Sequence, residues 1–307
     1  MKHVVLTIAV LAAGLSLQAQ DAASFKASYE RQVRMTGNAG IGVETILDRW
    51  EEAFPNDPEM LEGRYKFFLA KSAGNVVVDK TSKHYLGKDP VLTLKDSTGT
   101  EHFYFEDTVF ADSLFALGQK AIDRAVSLAP TELGYRIDKI TSLMLYEKDS
   151  PDMATQELLK LIDYQKNTKP SWTYFGLSVD ESTFRQAILE YCVNFYKYGT
   201  PGSYEAFKTV SEAMHKIYPK DTGFINNLGS YWLAYKKNNK KALSWYNKSL
   251  KIDPNDYVAA KNCVILARKE KNEKLEKKYL PALIASTGSE AERTACQVRL
   301  ESLGKKR

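Results

Sequence analysis

The segment Lys240–Asn255, with the sequence KKALSWYNKSLKIDPN, constrains the fold of this 307-residue chain more than any other feature. A small residue (Ala242), an aromatic residue four positions later (Tyr246) and a second small residue (Ser249) lie on one face of a helix, because an α-helix repeats about every 3.6 residues. Pro254 cannot continue a helix, so we expect the helix to end just before it. The pattern predicts the second helix of a helix hairpin.

The preceding segment supplies the first helix of the same hairpin. Its apolar and small residues are also spaced for one face, and Gly229 would let a neighbouring helix come close. Together, residues 221–255 resemble a tetratricopeptide repeat (TPR), a 34-residue helix-turn-helix unit, with one extra residue in the turn Lys237–Asn239. The first-helix face consists of Ile225, Leu228, Gly229 and Trp232.

Weaker copies of both faces align over most of residues 40–300, with the best-matching repeats at 221–280. The resemblance implies an all-α fold, a right-handed α-solenoid of TPR-like helix hairpins over residues 21–307, closed by a terminal helix at 290–303. An all-helical bundle with a compact core would share this periodicity. The prolines that follow the second helices favour the repeat; they are Pro55, Pro130, Pro219 and Pro254.

The first twenty residues have the pattern of a secretory signal. Lys2 provides a positive start, Val4–Leu17 an apolar stretch, and Gln18–Gln20 a cleavage point around a small residue. An N-terminal membrane anchor is the alternative, although 14 residues fall short of the roughly 20 that a spanning helix needs. We therefore expect an exported protein, periplasmic or secreted, of a Gram-negative bacterium. It would have no lipid anchor, because no cysteine lies near the cleavage point.

Two segments interrupt the helical pattern. Within residues 74–110, a turn cluster at Asp96–Thr100 separates two β-prone runs, which predicts a β-hairpin near residues 90–106. The hairpin either covers the edge of the helices or contacts a ligand. Further on, Trp172, Tyr174 and Phe175 lie in a loop bounded by proline and glycine. They either pack beneath the loop or form an aromatic ligand surface for a sugar or peptide.

Charge and cysteine content limit the classes of partner. Residues 236–307 carry a net charge of +10 and residues 21–235 about −6. The lysines of the C-terminal end are either solvated helix faces or a site for an anionic partner. Nucleic acid is not expected as a partner of an exported protein. Cys192, Cys263 and Cys296 fall within helical patterns, where buried free thiols are expected.

The resemblance implies a concave groove, lined by the first helices, that binds a peptide or protein. Asparagine can hydrogen-bond a peptide backbone in both directions, and lysine can hold a carboxylate. We found no motif for a metal, a cofactor or a catalytic nucleophile, so we expect a scaffold without catalytic residues. The alternative is a glycan-binding or carbohydrate-processing envelope protein with a site near the hairpin and the Trp172 loop. The predicted partner-binding residues are Lys139, Glu190, Asn226, Asn227, Lys261 and Asn262.

Overall fold

The computed structural model describes residues 22–305, which form α-helices with two small β-sheets. Several helices begin where an aspartate accepts a hydrogen bond from a backbone N–H two or three residues further on, as Asp57, Asp221 and Asp256 do. The helices are α1 (22–36), α2 (Val43–Ala53), α3 (Pro58–Ser72), α4 (Asp112–Leu128), α5 (Leu133–Glu147), α6 (Asp152–Thr168), α7 (Glu181–Tyr198), α8 (Pro201–Ile217), α9 (Thr222–Ser230), α10 (Asn239–Ile252), α11 (Tyr257–Lys269), α12 (Glu273–Ser286) and α13 (Glu290–Lys305). The strands are β1 (Ala73–Lys80), β2 (Leu92–Lys95), β3 (Glu101–Phe110), β4 (Trp172–Tyr174) and β5 (Leu177–Val179).

The described residues divide into two compact units. The first contains residues 22–148 and 170–180, and the second contains residues 149–169 and 181–305. In each unit most helices pack against a neighbour in the chain, and the first unit also contains both β-sheets. The continuity of one solenoid over residues 21–307 stays a prediction.

The core of the first unit lies between α1, α2, α3 and α4. Trp50, Leu47 and Ile122 are fully or almost fully buried in it, and the ring of Phe25 stacks on that of Trp50. Helices α3 and α4 pack as a hairpin although the whole three-stranded sheet is inserted between Ser72 and Asp112. The predicted insertion therefore opens the turn of one helix hairpin and leaves the contact between its helices intact.

The inserted sheet has the strand order β1–β3–β2, and both pairings are antiparallel. Strands β2 and β3 form the predicted hairpin, with Leu92 opposite Tyr104. Strand β1 adds a third strand, with Val78 opposite Phe105, that the sequence pattern had not indicated. Phe105 is fully buried on one face of the sheet.

The second unit contains the best-predicted repeat. Tyr246 of α10 is fully buried and Trp232 packs, half-buried, against the same cluster, which confirms the helix hairpin. Helix α9 continues into a π-helical turn at Tyr231–Tyr235, where the N–H of Lys236 donates to the carbonyl of Tyr231. Such turns insert one residue into a helix, and this one leads into the turn at Lys237. The all-α class with TPR-like helix hairpins and an inserted β-hairpin is confirmed.

The predicted signal, residues 1–20, lies outside the described residues, so export stays a prediction. Among the helices within residues 22–305, none combines the length and apolarity needed to cross a bilayer.

Candidate functional site

Five of the six predicted partner-binding residues lie on the first helices of the second unit, and four of these are exposed or partly exposed. Glu190 is exposed on α7, and Asn227 is partly exposed on α9, where its Nδ2 lies 3.3 Å from Oγ of Ser211. On α11, Lys261 Nζ lies 2.6 Å from Oη of Tyr257 and 3.3 Å from a carboxylate oxygen of Glu292. These residues are at least partly exposed, and Asn227 and Lys261 already have local contacts.

Asn262 completes this set on α11. Its Nδ2 donates to the carbonyl of Val258 in the same helix, at 3.0 Å, so the side chain lies along the helix surface and is partly exposed. A partner that accepts this N–H would compete only with a bond inside one helix. Asn262 therefore needs little rearrangement to take part in binding.

Asn226 does not belong to this exposed set, and its prediction as a partner contact is corrected. The residue is only 6% exposed, and its Nδ2 donates to Oδ2 of Asp256 at 2.7 Å. The same Asp256 oxygen accepts from Ser249 Oγ at 2.7 Å. Neighbouring residues in a helix point about 100° apart, so Asn226 is buried while Asn227 stays partly exposed, with its amide near the buried Ser211. The role of Asn226 is to tie α9 to the start of α11.

Lys139 is the predicted contact that lies in the first unit, on α5. Its Nζ lies 2.6 Å from Oδ1 of Asp123, and its side chain is 14% exposed. A lysine that is mostly buried in an ion pair offers little of its charge to a partner. Lys139 therefore belongs to the first unit, where it is engaged by Asp123.

Apolar side chains stand half-exposed beside the predicted polar residues, three positions further along the same helices. Val193 follows Glu190 on α7 and is 48% exposed, and Ile265 follows Asn262 on α11 and is 46% exposed. Residues three apart are neighbours on a helix surface. Single exposed apolar residues are ordinary, but here the same polar and apolar pair recurs on two first helices.

The aromatic loop forms a second hairpin, β4–β5, in the first unit. Trp172 is 2% exposed, so it packs beneath the hairpin and its assignment to an aromatic ligand surface is corrected. Tyr174 and Phe175 remain about half-exposed at the tip. The backbone N–H of Phe175 donates to Glu132 at 2.8 Å, which fixes the turn against the start of α5.

A cleft in the first unit was not predicted from the sequence. It has a volume of about 260 Å³ and lies between α1, α2 and α3. Tyr29 lines it, is 9% exposed, and its hydroxyl has no hydrogen-bond partner. The only signal in the sequence is the helical spacing of Phe25, Tyr29 and Val33, which looks like any apolar helix face. The residues that line the cleft are Lys26, Tyr29, Glu30, Val33, Arg34, Asn38, Trp50, Glu59, Glu62 and Lys66.

Burial and nearby carboxylates change the pKa values of two groups in this region. Burial raises the pKa of Tyr29, and the charges of Glu62 and Glu30 raise it further. On α5, burial raises the pKa of Asp138 to about 6, with Lys66 opposing and Glu62 adding to the shift. The second oxygen of Asp138, Oδ2, is buried and has no hydrogen-bond partner. The Tyr29 phenol therefore stays protonated at neutral pH, and its oxygen can accept a hydrogen bond from a ligand.

The thiols do not form a reactive site. All three cysteines are buried, as predicted, and are free. Burial raises the pKa of Cys192 and that of Cys263 to about 12. A thiol of such pKa is almost entirely protonated at neutral pH and is a poor nucleophile. Among the described residues, no group of three or more His, Cys, Asp or Glu side chains is arranged to hold a metal.

Comparisons with known proteins give only distant structural likenesses. No protein-family model and no curated protein sequence matches the chain. One similar structure is that of pilF from Pseudomonas aeruginosa, with a TM-score of 0.39 and 16% identity, covering 62% of this chain and 77% of that one. Another is a flexible tandem repeat domain from the bacterial cellulose synthase complex, with a TM-score of 0.29 and 14% identity, covering 86% of this chain and 90% of that one. The description of the fold rests on the helix packing within this chain.

Proposed function

We propose that this chain is an exported interaction scaffold of the tetratricopeptide type, which holds a protein or peptide partner along the first helices of its helix hairpins and performs no catalysis. The observation that carries the proposal is the repeated surface of the second unit. Exposed or partly exposed polar residues, Glu190 and Asn262, each stand beside a half-exposed apolar residue three positions further on. Such a surface can hydrogen-bond a peptide backbone and bury its apolar side chains.

Helix packing in this unit favours the same proposal. On α11, residues such as Ala260, Cys263 and Ala267 are fully buried, so the apolar side of the helix is used within the unit. Val258 and Ile265 are about half-exposed on the remaining side, which also carries Asn262. This second, mixed face lies outside the buried core of the unit, and its polar and apolar side chains are suited to binding.

The basic C-terminal part of the chain suits a partner with an acidic segment. Residues 236–307 carry a net charge of +10, and several of these lysines lie on α10 and α12. Like charges on one surface raise the association rate of an oppositely charged partner. The glycan-binding alternative loses its main support because Trp172 is buried and cannot stack on a sugar.

Crosslinking in intact cells, followed by mass spectrometry of the attached proteins, tests the scaffold. The triple variant Asn227→Ala, Lys261→Ala, Asn262→Ala should lose most of the crosslinked partner and keep most of its stability, because all three side chains are partly exposed and only Asn227 contacts a buried residue, Ser211. A matched control removes three exposed lysines of the second unit that lie outside the basic C-terminal part, Lys166, Lys216 and Lys220, and should keep the partner. Equal partner recovery from the triple variant and the wild-type protein would show that this surface is not the binding site.

A further inference from the structure

The Tyr29 hydroxyl occupies a position that internal packing does not explain. The ring lies against Gly63 of α3, where a Cβ atom would come within 3.2 Å of Cζ of Tyr29. Buried hydroxyls in folded proteins almost always have a hydrogen-bond partner, because burial removes the bonds that water would supply. This hydroxyl has none, and it belongs to a residue that lines the cleft. A phenylalanine would fill the same space without that cost.

The unpaired atoms around the cleft are oxygens, whereas the cations are all engaged. The Tyr29 hydroxyl lines the cleft, and Asp138, which interacts electrostatically with the lining residues Lys66 and Glu62, has a buried Oδ2 without a partner. The three cations that line the cleft each form an ion pair with a carboxylate of the same cleft, Lys26 with Glu59, Arg34 with Glu30 and Lys66 with Glu62. A ligand with N–H donors would form the hydrogen bonds that the unpaired oxygens lack. An anion would instead have to break an existing ion pair to reach a lysine or arginine.

The cleft also has an apolar wall. Trp50 and Val33 line it, and Trp50 is held by a hydrogen bond from Nε1 to Oδ2 of Asp57, at 3.0 Å. The long basic side chains combine an apolar stem with a charged, donor-rich end, which matches a cleft with an apolar wall and unpaired oxygens. A volume of about 260 Å³ suits one side chain and excludes a folded domain.

We propose that this cleft binds a cationic side chain, the ammonium group of a lysine or the guanidinium group of an arginine, presented by the protein partner. The inference rests on the proposed function for the existence of that partner. The N–H groups of the ligand donate to Tyr29 Oη and share the carboxylates of Glu62 and Glu30 with Lys66 and Arg34, and its methylene stem lies against Trp50. The cleft would thereby make the scaffold specific for partner segments that carry a lysine or an arginine.

Small model compounds test the cleft without the partner. The full chain is titrated with the amides of N-acetyl-arginine, N-acetyl-lysine, N-acetyl-norleucine and N-acetyl-glutamate, followed by NMR shifts of the Trp50 indole N–H. The two cationic amides should bind saturably, and the neutral and acidic amides should not. Saturable binding of the glutamate derivative, or of the norleucine derivative with equal affinity, would overturn the inference.

Two conservative variants distinguish binding from folding. Tyr29→Phe keeps the ring against Gly63 and should weaken the cationic amides about tenfold, since one hydrogen bond to a charged group is lost. Its melting temperature should not fall, because the removed hydroxyl is unpaired. Glu62→Gln should also weaken binding. A lower melting temperature of Tyr29→Phe with unchanged affinity would assign Tyr29 a purely structural role and refute the proposal.

The controls match each change elsewhere in the same unit. Tyr65→Phe removes a hydroxyl that donates to the carbonyl of Asp138, so it should lower stability and leave amide binding unchanged. Glu44→Gln removes an exposed carboxylate, paired with Lys71, and should change neither. If the amides bind while crosslinking shows no partner, the scaffold proposal alone fails; if a partner is captured but the amides do not bind, the cleft inference alone fails.

Discussion

Gly229 of α9 lies so close to Tyr246 of α10 that a Cβ atom on Gly229 would come within 2.5 Å of the ring carbon Cε1. The ring cannot move away easily, because Tyr246 is fully buried and its hydroxyl lies 3.1 Å from Oγ of Ser230. A residue without a side chain therefore faces a large aromatic side chain of the neighbouring helix. This contact determines the spacing of the best-predicted helix hairpin.

Gly229→Ala should destabilise the second unit by about 1–3 kcal/mol, because the added methyl group overpacks a filled core. In an open helix the same change would be stabilising, since alanine is the better helix former. Urea unfolding followed by circular dichroism measures the difference. In a Tyr246→Leu background the cost of the glycine change should shrink, since the ring that opposes the methyl group is gone.

Gly288→Ala is the matched control for this prediction. Nothing lies within 4 Å of a Cβ atom at Gly288. Its unfolding curve should therefore overlay that of the wild-type protein. Equal stability of Gly229→Ala and the wild-type protein would contradict the close approach of the two helices.

The helices of this fold were predictable from the sequence because their signals are local. Tyr246 and Pro254 define one helix face and its end within a few turns, and α10 ends at Ile252 as expected. The hairpin β2–β3 was predictable for the same reason, since its turn lies between the two strands. Strand β1 was not, because its partner β3 begins 21 residues after β1 ends and no short-range pattern connects them.

The candidate sites were less predictable, because they depend on which face of a helix is covered. Asn226 and Asn227 are adjacent and chemically identical, yet only the packing of α9 against α11 decides that Asn226 is buried. Trp172 likewise became a core residue through folding of the β4–β5 hairpin. The Tyr29 cleft requires three helices that are separate in the chain, so no single segment could indicate it.

Asp107 connects the inserted sheet to the end of α5 through hydrogen bonds. Replacing it with the neutral asparagine should destabilise the first unit. Its carboxylate accepts from Tyr85 Oη at 2.8 Å, Lys88 Nζ at 2.7 Å and Lys148 Nζ at 2.5 Å. Burial opposes the charge, but the hydrogen bonds from Lys148, Lys88 and Tyr85 prevail and hold the pKa of Asp107 well below its usual range. Asp107→Asn removes the counter-charge of two lysines and should cost about 1–3 kcal/mol, less than a fully buried pair because the lysines are partly exposed.

The adjacent residue provides a control for Asp107→Asn. Glu106→Gln makes the same change of charge at an exposed position of the same strand. Thermal unfolding should show a lower melting temperature for Asp107→Asn. The melting temperature of Glu106→Gln should be almost the same as that of the wild-type protein. A similar loss in both variants would mean that net charge, and not the Asp107 contacts, determines the stability.

Asn226→Ala should reduce stability while leaving partner capture intact, because the side chain acts within the second unit. Its removal leaves the Asp256 carboxylate with fewer donors at a site that is only 6% exposed. The loss of a hydrogen bond to a buried charged group costs about 1.5–3 kcal/mol. Asn227→Ala is the matched control, with the opposite expectation: little change in urea unfolding, and weaker crosslinking to the partner. Reversed results for the two asparagines would show that their assigned roles are wrong.

His102 links all three strands of the inserted sheet. Its Nδ1 lies 2.9 Å from Oδ2 of Asp79 on β1, and its Nε2 lies 3.5 Å from Oδ2 of Asp96 in the β2–β3 turn. The hydrogen bond to Asp79 is the main cause that raises the pKa of His102 above 6.5, and Asp96 adds to it. By contrast, burial and the nearby Lys248 lower the pKa of His215. The pKa of His102 should therefore lie above 6.5, the ordinary value for histidine, and that of His215 below it.

A group whose pKa is raised by folding stabilises the folded state while it is protonated. The contribution of His102 to the sheet should be complete below about pH 6.5, the ordinary value, and should disappear as the pH rises through its raised folded pKa. NMR titration of the imidazole C–H signals, assigned with His102→Gln, measures this directly. In Asp79→Asn the pKa of His102 should fall toward 6.5, whereas that of His215 should stay where it is. If the pKa of His102 is the same in Asp79→Asn and in the wild-type protein, the hydrogen bond to Asp79 is not the cause of the raised pKa.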